Sequence, residues 1–227
     1  MKTSLSLTLY ALTAAGIVAA DSSAKDEVTA AAKKLGEQPN YSWTTTVVVP
    51  ESAQFKPGPT EGKTEKDGFT YVTLAFGDNL TEAVVKGDKA TITDQDGNWR
   101  LASELENAEG RDRFLGRMVR NFKTPAAQVP DLLSAAKELK KDGETYSAEL
   151  TEDGAKKQFR FGQPQNPKGS VKFWVKDGTI TKYEVKVEAK MEFNGNEIDA
   201  SRTSTTEIKK VGTTNVNAPG DAKKKLS

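Results

Sequence analysis

The feature of this sequence that most constrains the fold is a strict two-residue alternation over residues 182–193. Apolar side chains occupy every second position, and lysine or glutamate occupies each position between them. The apolar set is Tyr183, Val185, Val187, Ala189, Met191 and Phe193. Because successive side chains of a β-strand point to opposite faces, the pattern predicts one long strand with a buried face and a solvated face. Such a strand would extend more than about 30 Å, well beyond the usual length, so we expect its sheet to be curved.

Turn signals on both sides of this strand predict an antiparallel meander. Asp177-Gly178 and Asn194-Gly195 are two-residue sequences that favour β-hairpins. They would join the long strand to one that begins at Val171 and to a last strand over residues 197–210. The last strand is polar on both faces. We therefore expect it at the edge of the sheet, where charged side chains deter pairing with other chains.

The remainder of the chain indicates strands, then helices, then strands. Residues 23–36 have helical apolar spacing, and residues 50–66 are rich in proline, glycine and charge, which favours a loop. Further strand patterns occur at 41–49, 69–76, 80–86 and 89–93. From Phe114 to Leu139 the apolar spacing predicts two amphipathic helices, broken near Pro125 and Pro130 and closed by Gly143. This order predicts an α+β domain, with one curved antiparallel sheet and helices over its concave side.

The first 20 residues have the composition of a secretory signal peptide. Lys2 supplies a positive start, residues 5–18 are mostly apolar, and Ala19-Ala20 offers small residues before a cleavage point. We expect signal cleavage to leave a single domain over residues 21–227 that is periplasmic or secreted and has no transmembrane span. The chain contains no cysteine, so it has neither the cysteine of a lipid-anchored protein nor a disulfide.

Charge and missing residue types exclude several functional classes. The chain has 33 basic and 32 acidic residues, and loss of Lys2 with the signal would bring the net charge to zero, which argues against a nucleic-acid partner. Without histidine or cysteine, Ser-His and Cys-His catalysis, thiol chemistry and the common zinc sites are excluded. We expect no catalytic residues, no cofactor and no metal. A hydrolase with two facing carboxylates stays open as an alternative.

Three motifs together resemble a known family. Trp174 to Lys182 reads W-x-x-D-G-x-I-x-K, and residues 212–222 read G-x-x-x-V-x-x-P-x-x-A. Asp96-Gly97-Asn98-Trp99 is a D-G-x-W turn in the first half of the chain. In this order they resemble the lipoprotein-carrier superfamily, which includes the Lol-type periplasmic carriers and receptors and mycobacterial lipid-binding lipoproteins. The resemblance implies an unclosed β-barrel whose concave side, lidded by helices, holds acyl chains.

A cavity of this kind needs aromatic and aliphatic walls. The candidate wall residues on strands are Tyr41, Trp43, Val47, Phe173, Val175, Tyr183, Val185, Val187 and Met191. The candidate lid residues on helices are Phe114, Leu115, Met118, Leu132 and Leu133. The same side chains would serve equally well in a packed core, so cavity and core both stay open at this point.

Two functional hypotheses follow from the sequence. The first is an exported, monomeric, non-enzymatic carrier that binds a lipid or the acyl chain of a lipoprotein and releases it by lid opening, with an envelope protein as a further expected partner. The alternative is an envelope interaction or scaffold module with a solid core. That module would expose an apolar patch on the convex face, where Trp174 is the predicted centre.

Overall fold

The computed structural model describes residues 23–53, 56–76, 79–159, 162–193 and 195–227. The predicted signal peptide lies outside these residues. Within them, no helix is both long enough and apolar enough to cross a membrane. The helices are α1 (Ala24–Gly36), α2 (Gly110–Arg120), α3 (Pro125–Ala135), α4 (Glu152–Lys156) and α5 (Gly220–Lys225). The strands are β1 (Asn40–Val48), β2 (Thr60–Glu65), β3 (Thr70–Phe76), β4 (Asn79–Lys86), β5 (Lys89–Thr93), β6 (Trp99–Leu101), β7 (Lys140–Asp142), β8 (Thr145–Glu149), β9 (Gln165–Lys176), β10 (Thr179–Phe193), β11 (Asn196–Asp199) and β12 (Arg202–Lys209).

All these strands belong to one antiparallel sheet. Its continuous path runs β6-β5-β4-β3-β2-β1-β12-β10-β9-β8-β7, and β11 pairs with β10 beside that path. The terminal strands β6 and β7 do not pair with each other in the described part of the chain, so the sheet stays open. Helices α1, α2 and α3 cover one face. The prediction of an α+β fold with an unclosed barrel and a helical lid is confirmed.

Strand β10 is the long strand that the alternation predicts. It contains 15 residues and pairs with β9 on one side and β12 on the other. Tyr183 and Val187 are buried, whereas Lys186 is exposed. The pairing with β9 shifts register at two points, and such bulges bend a strand. Asp177 and Gly178 in the preceding turn have φ values of 51° and 68°, as a two-residue hairpin with two left-handed positions requires.

The prediction of a loop over residues 50–66 is wrong for its last third, where β2 runs between β1 and β3. On the inner face of β2, Gly62 lies opposite Trp43. A Cβ atom added to Gly62 would lie 2.0–2.4 Å from the indole, so the ring covers the glycine. The hydroxyls of Thr64 and Thr70 join β2 to β3 at 2.7 Å. Because β2 contributes no large apolar side chain of its own, it lacks the alternation that marks the other strands.

The expectation that the last strand forms a sheet edge is also wrong. The segment divides into β11 and β12, and β12 lies between β1 and β10 in the middle of the sheet. Its polar inner face is tolerated because threonine hydroxyls bond across the strands, as Thr206 does with Thr45 at 2.8 Å. The polar outer face is at least partly open to solvent, as Glu207 and Lys209 show. Polarity on both faces therefore does not identify an edge in this sheet.

The two central helices differ from the prediction at their ends. Helix α3 begins at Pro125, a favoured position for proline, and continues through the exposed Pro130. The predicted break at Pro130 is therefore wrong. The expected helical run to Leu139 is wrong as well, because the chain leaves α3 to pair with the end of β8. There the Lys137 amide donates to the Glu149 carbonyl at 2.8 Å.

The buried apolar residues form three separate clusters. The largest joins the inner faces of β1, β3, β8, β9 and β10 to helices α1, α3 and α4. The second joins α2 to β4 and β5 through residues such as Leu115, Val119 and Ile92. The third lies on the outer face, where Ala222 of α5 packs against Val84. Helices α2 and α3, which are neighbours in sequence, therefore rest on different clusters.

Candidate functional site

A cleft of about 900 Å³ lies between α2, α3 and the residues just after α4. It opens where the first two apolar clusters meet, and Met118 packs against both of them. The residues that line it are Gly110, Arg113, Phe114, Arg117, Met118, Asn121, Phe122, Lys123, Gln128, Asp131, Leu132, Ser134, Ala135, Lys157 and Gln158. The cleft is open to solvent, and its volume is comparable to that of pockets that hold drug-sized ligands.

Part of the cleft wall is apolar. Phe114 and Met118 are four residues apart on α2 and so lie on one side of that helix, and Leu132 comes from α3. Phe122, in the connection between the two helices, stacks on Trp43 of β1 with ring centroids 6.1 Å apart and planes at 21°. Phe122 therefore contacts the aromatic inner face of the sheet and also lines the cleft.

Two tyrosine hydroxyls attach α3 to the sheet beneath it. The Tyr183 hydroxyl donates to Oε1 of Gln128 at 2.9 Å, and the Tyr41 hydroxyl accepts from the Ala126 amide at 3.4 Å. Both rings are buried, and burial raises the pKa of Tyr41 and of Tyr183 above the usual value of 10.0. Both hydroxyls therefore stay neutral at physiological pH, and the Tyr183 hydroxyl keeps the proton that it donates to Gln128.

Charged side chains surround the mouth of the cleft. Asp131 is the one carboxylate among the lining residues, and Lys123 pairs with it at 2.6 Å. Arg113 and Arg117 on α2 and Lys157 after α4 make no ion pair with any described residue. The cleft therefore has a positive charge excess on an otherwise mixed surface.

The structure separates the predicted lid residues into two groups. Phe114, Met118 and Leu132 line the cleft. Leu115 is buried in the α2 cluster and Leu133 in the main core, to which Leu132 also belongs although it reaches the cleft wall. This difference follows from helix geometry, because consecutive residues point in directions about 100° apart.

The predicted wall residues share the inner face of the sheet but differ in burial. The buried ones, at 0–3% exposure within the main core, are Tyr41, Trp43, Phe173, Tyr183 and Val187. Val175 and Val185 are partly buried and pack against that core. Val47 and Met191 are also partly buried. Helices α1 and α3 cover the most aromatic part of the inner face, and none of these strand residues lines the cleft.

Sequence reasoning missed several residues of the cleft. Arg113 and Arg117 are four residues apart, as are Phe114 and Met118, so helical spacing alone could have indicated a basic row beside an apolar row. Gln128 gave no signal, because its role depends on the distant Tyr183. Lys157 and Gln158 reach the cleft only through the packing of α4 against α3 and β9.

Trp174 lies on the outer face, as predicted, and is only partly exposed. The ammonium groups of Lys182 and Lys172 lie 4.5 Å and 4.9 Å from the centre of its indole. The large apolar residues with high exposure, Val48 and Leu80, lie on other strands. In the described residues, the apolar patch that an interaction module would need is therefore not centred on Trp174.

A second depression of about 580 Å³ lies beside β8, β9 and β10. Its charged lining residues are Lys137, Glu149, Glu152, Lys168, Lys186 and Glu188. The basic and acidic side chains are balanced, and no aromatic side chain lines it. Over the described ranges, no group of three acidic side chains is placed to hold a metal ion.

No family model and no curated protein matches the chain. The structure is similar to the crystal structure of the lipoprotein LppX from Mycobacterium tuberculosis, with a TM-score of 0.49 and 11% identity over 86% of this chain and 97% of LppX. It is similar to LprF from Mycobacterium bovis, with a TM-score of 0.45 and 10% identity over 87% and 96% of the two chains. A putative outer membrane lipoprotein-sorting protein domain from Vibrio parahaemolyticus has a TM-score of 0.34 and 8% identity over 88% and 96%. With identities and TM-scores this low, the ligand must be argued from the residues of this chain.

Proposed function

We propose that the protein is an exported, non-enzymatic carrier that binds a lipid or the acyl chain of a lipoprotein. The observation that carries the proposal is the cleft of about 900 Å³ between α2 and α3, with apolar residues in its wall. Its volume suits a small amphiphile. Phe114, Met118 and Leu132 supply contacts for methylene groups, and such binding needs no catalytic group.

In this proposal the inner face of the sheet is the deeper part of the binding site. Trp43 lies directly behind Phe122, and Tyr183 is joined to Gln128 in the cleft wall. Movement of α2 and of the connection to α3 would expose Tyr41 and Trp43 to the ligand. The buried wall residues would then exchange contacts with the helices for contacts with the acyl chain, so little apolar surface would meet water.

Movement of α2 is favoured by the way that helix is held. Its cluster on β4 and β5 is separate from the main core. Elements with a small buried contact area are the ones that open most readily. We propose that release of the ligand to an envelope protein uses the same opening, with the carrier acting as a monomer in the periplasm or outside the cell.

The proposal is tested on protein that is expressed with its first 20 residues and purified without detergent. Native mass spectrometry measures any bound mass, and solvent extraction of the same preparation then identifies it. We expect a bound mass that extracts as lipid. Met118→Asp, which places a charge in the apolar wall, should lower its occupancy. Leu80→Asp, a matched change at a site 65% exposed on β4, should not.

A protein that carries no lipid and binds neither phospholipids nor acylated peptides would contradict the proposal. It would favour the interaction or scaffold module instead. Equal lipid occupancy in the Met118→Asp variant and the unaltered protein would place the ligand elsewhere than in the cleft.

A further inference from the structure

We propose that the cleft selects lipids with an anionic headgroup, and that Arg113 and Arg117 hold this headgroup at its mouth. The inference rests on the proposed function and specifies its ligand class. It starts from helix α2, which places four arginines in 11 residues.

Two of the four arginines have structural partners. Arg111 donates to the Thr81 hydroxyl of β4 at 3.1 Å, and Arg120 forms an ion pair with Glu106. These contacts attach the two ends of α2 to the sheet and to the preceding loop. The other two, Arg113 and Arg117, line the cleft and form no ion pair with a described residue.

Helix α2 places basic side chains and apolar side chains in two neighbouring rows. Arg113 and Arg117 lie one turn apart, and so do Phe114 and Met118, each directly after an arginine. The helix therefore presents a basic row and, beside it, an apolar row along the same cleft. An amphiphile with an acyl chain against the apolar row would bring its headgroup to the basic row.

Charge in the rest of the cleft favours an anion over a neutral or zwitterionic headgroup. Lys157 adds a third cation without an ion pair, and the charge of Asp131 is already balanced by Lys123. Like charges one turn apart repel each other and weaken a helix, and an anion between them removes that repulsion. Guanidinium groups match the geometry of a phosphate with paired hydrogen bonds in an anionic and in a zwitterionic headgroup alike, so the preference comes from the net charge.

The contrast with the second depression supports the same inference. There Lys186 pairs with Glu188 at 2.6 Å and Lys137 pairs with Glu149 at 2.8 Å, so two of the three lysines that line the depression have a carboxylate partner. No aromatic side chain lines it. The cleft differs in both respects, because Arg113 and Arg117 form no ion pair with a described residue and lie beside an apolar wall.

The test is calorimetric titration of the delipidated protein with two short-chain lipids that stay monomeric in water, dihexanoyl phosphatidylglycerol and dihexanoyl phosphatidylcholine. They share acyl chains and differ in net charge. We expect about tenfold tighter binding of the phosphatidylglycerol at low salt, because its net negative charge is attracted to two exposed arginines. The preference should shrink at high salt because exposed charges are screened.

The variant Arg113→Gln/Arg117→Gln should bind the two lipids with equal affinity, and its fold should be retained, since glutamine maintains helix propensity. The control Lys168→Gln/Lys186→Gln removes the same charge beside the second depression and should keep the preference. Equal binding of both lipids by the unaltered protein would overturn this inference and leave the carrier proposal standing.

Two further results would also contradict the inference. If the protein bound neither lipid, both the headgroup inference and the carrier proposal would be contradicted. Adsorption to vesicles containing phosphatidylglycerol, without uptake of monomeric lipid, would mean that the arginines attach the protein to a membrane surface.

Discussion

Helices α2 and α3 cover the same face of one sheet, but they are held in different ways. Helix α3 buries Val129, Leu132 and Leu133 in the largest cluster and packs on α1. It also accepts a hydrogen bond from one tyrosine hydroxyl of the sheet and donates one to another. Helix α2 rests on β4 and β5, where the inner face combines the small residues Ala83 and Ala90 with Ile92. The cleft lies between the helix that packs on the main core and the helix that packs on the smaller cluster.

The two parts of the sheet therefore differ in the size of the apolar cluster that covers them. The aromatic strands β1, β9 and β10 need a fixed cover, and α1 and α3 provide it. The half made of β3 to β5 carries less bulk and leaves α2 with fewer buried partners. A ligand that opens the fold would therefore displace α2 first.

The largest expected effect comes from a matched pair of core truncations. Leu133 in α3 and Leu115 in α2 are both 2% exposed. Truncation of either to alanine should lower the free energy of unfolding by about 2–5 kcal/mol. We expect Leu133→Ala near the top of that range and Leu115→Ala near the bottom, because the main core collapses less readily around a cavity. Urea unfolding of both variants measures the order. A larger loss of unfolding free energy for Leu115→Ala than for Leu133→Ala would mean that α3 is not the more tightly packed of the two helices.

The packing of Trp43 provides the next test. Gly62→Ala places a methyl group where the indole lies, and the ring is confined by Tyr41 and Phe122. We expect a loss of about 1–3 kcal/mol in unfolding free energy and a changed Trp43 emission spectrum. Gly220→Ala is the control, since nothing lies within 4 Å of its added Cβ. An unchanged stability for Gly62→Ala would mean that β1 and β2 are loosely packed.

A smaller effect is expected when α3 loses one of its tyrosine contacts. Tyr183→Phe removes the hydrogen bond to Gln128 and should lower the unfolding free energy by about 1 kcal/mol. Hydrogen exchange should become faster in α3 and stay unchanged in α2. Faster exchange in α2 alone would contradict the assignment of this contact to α3.

The smallest expected effect is that the difference in unfolding free energy between the unaltered protein and Tyr183→Phe depends on pH. Burial raises the pKa of Tyr183 above the unfolded value of 10.0, so its contribution to stability is complete below pH 10 and declines as the pH rises above it. The unaltered protein should therefore lose stability more steeply above pH 10 than Tyr183→Phe does. Thermal melting of both proteins across this range measures the slopes. Parallel slopes would mean that Tyr183 is not buried.

The sequence alone predicted the parts of the fold that depend on local pattern. The strand β10 follows from its alternation, and the turn at Asp177-Gly178 follows from residues that accept positive φ. Strand β2 and the central place of β12 could not be predicted, because both depend on partners. Gly62 is covered by Trp43, and Thr206 bonds to Thr45.

The candidate site was predictable to a smaller extent. Helical spacing identified Phe114, Met118 and Leu132, which line the cleft. It could not separate them from Leu115 and Leu133, because apolar spacing does not say which side of a helix meets a neighbour and which meets a gap. The cleft between α2 and α3 depends on how both helices pack on the sheet, so its position is visible only in the folded structure.

The most direct test of the central claim uses the positions of two tryptophans relative to the cleft. Trp43 lies behind Phe122 on the inner face, whereas Trp174 lies on the outer face beside Lys172 and Lys182. Two variants that melt cooperatively are compared, one with Trp43 as its single tryptophan and one with Trp174. Each is titrated with a lipid whose acyl chain carries bromine, a quencher of nearby indoles.

A ligand that enters between α2 and α3 will quench Trp43 and leave Trp174 unchanged. Quenching of Trp174 without Trp43 would place the lipid on the outer face. Such a result, or the absence of quenching in both variants at saturating lipid, would contradict the account of an inner binding site.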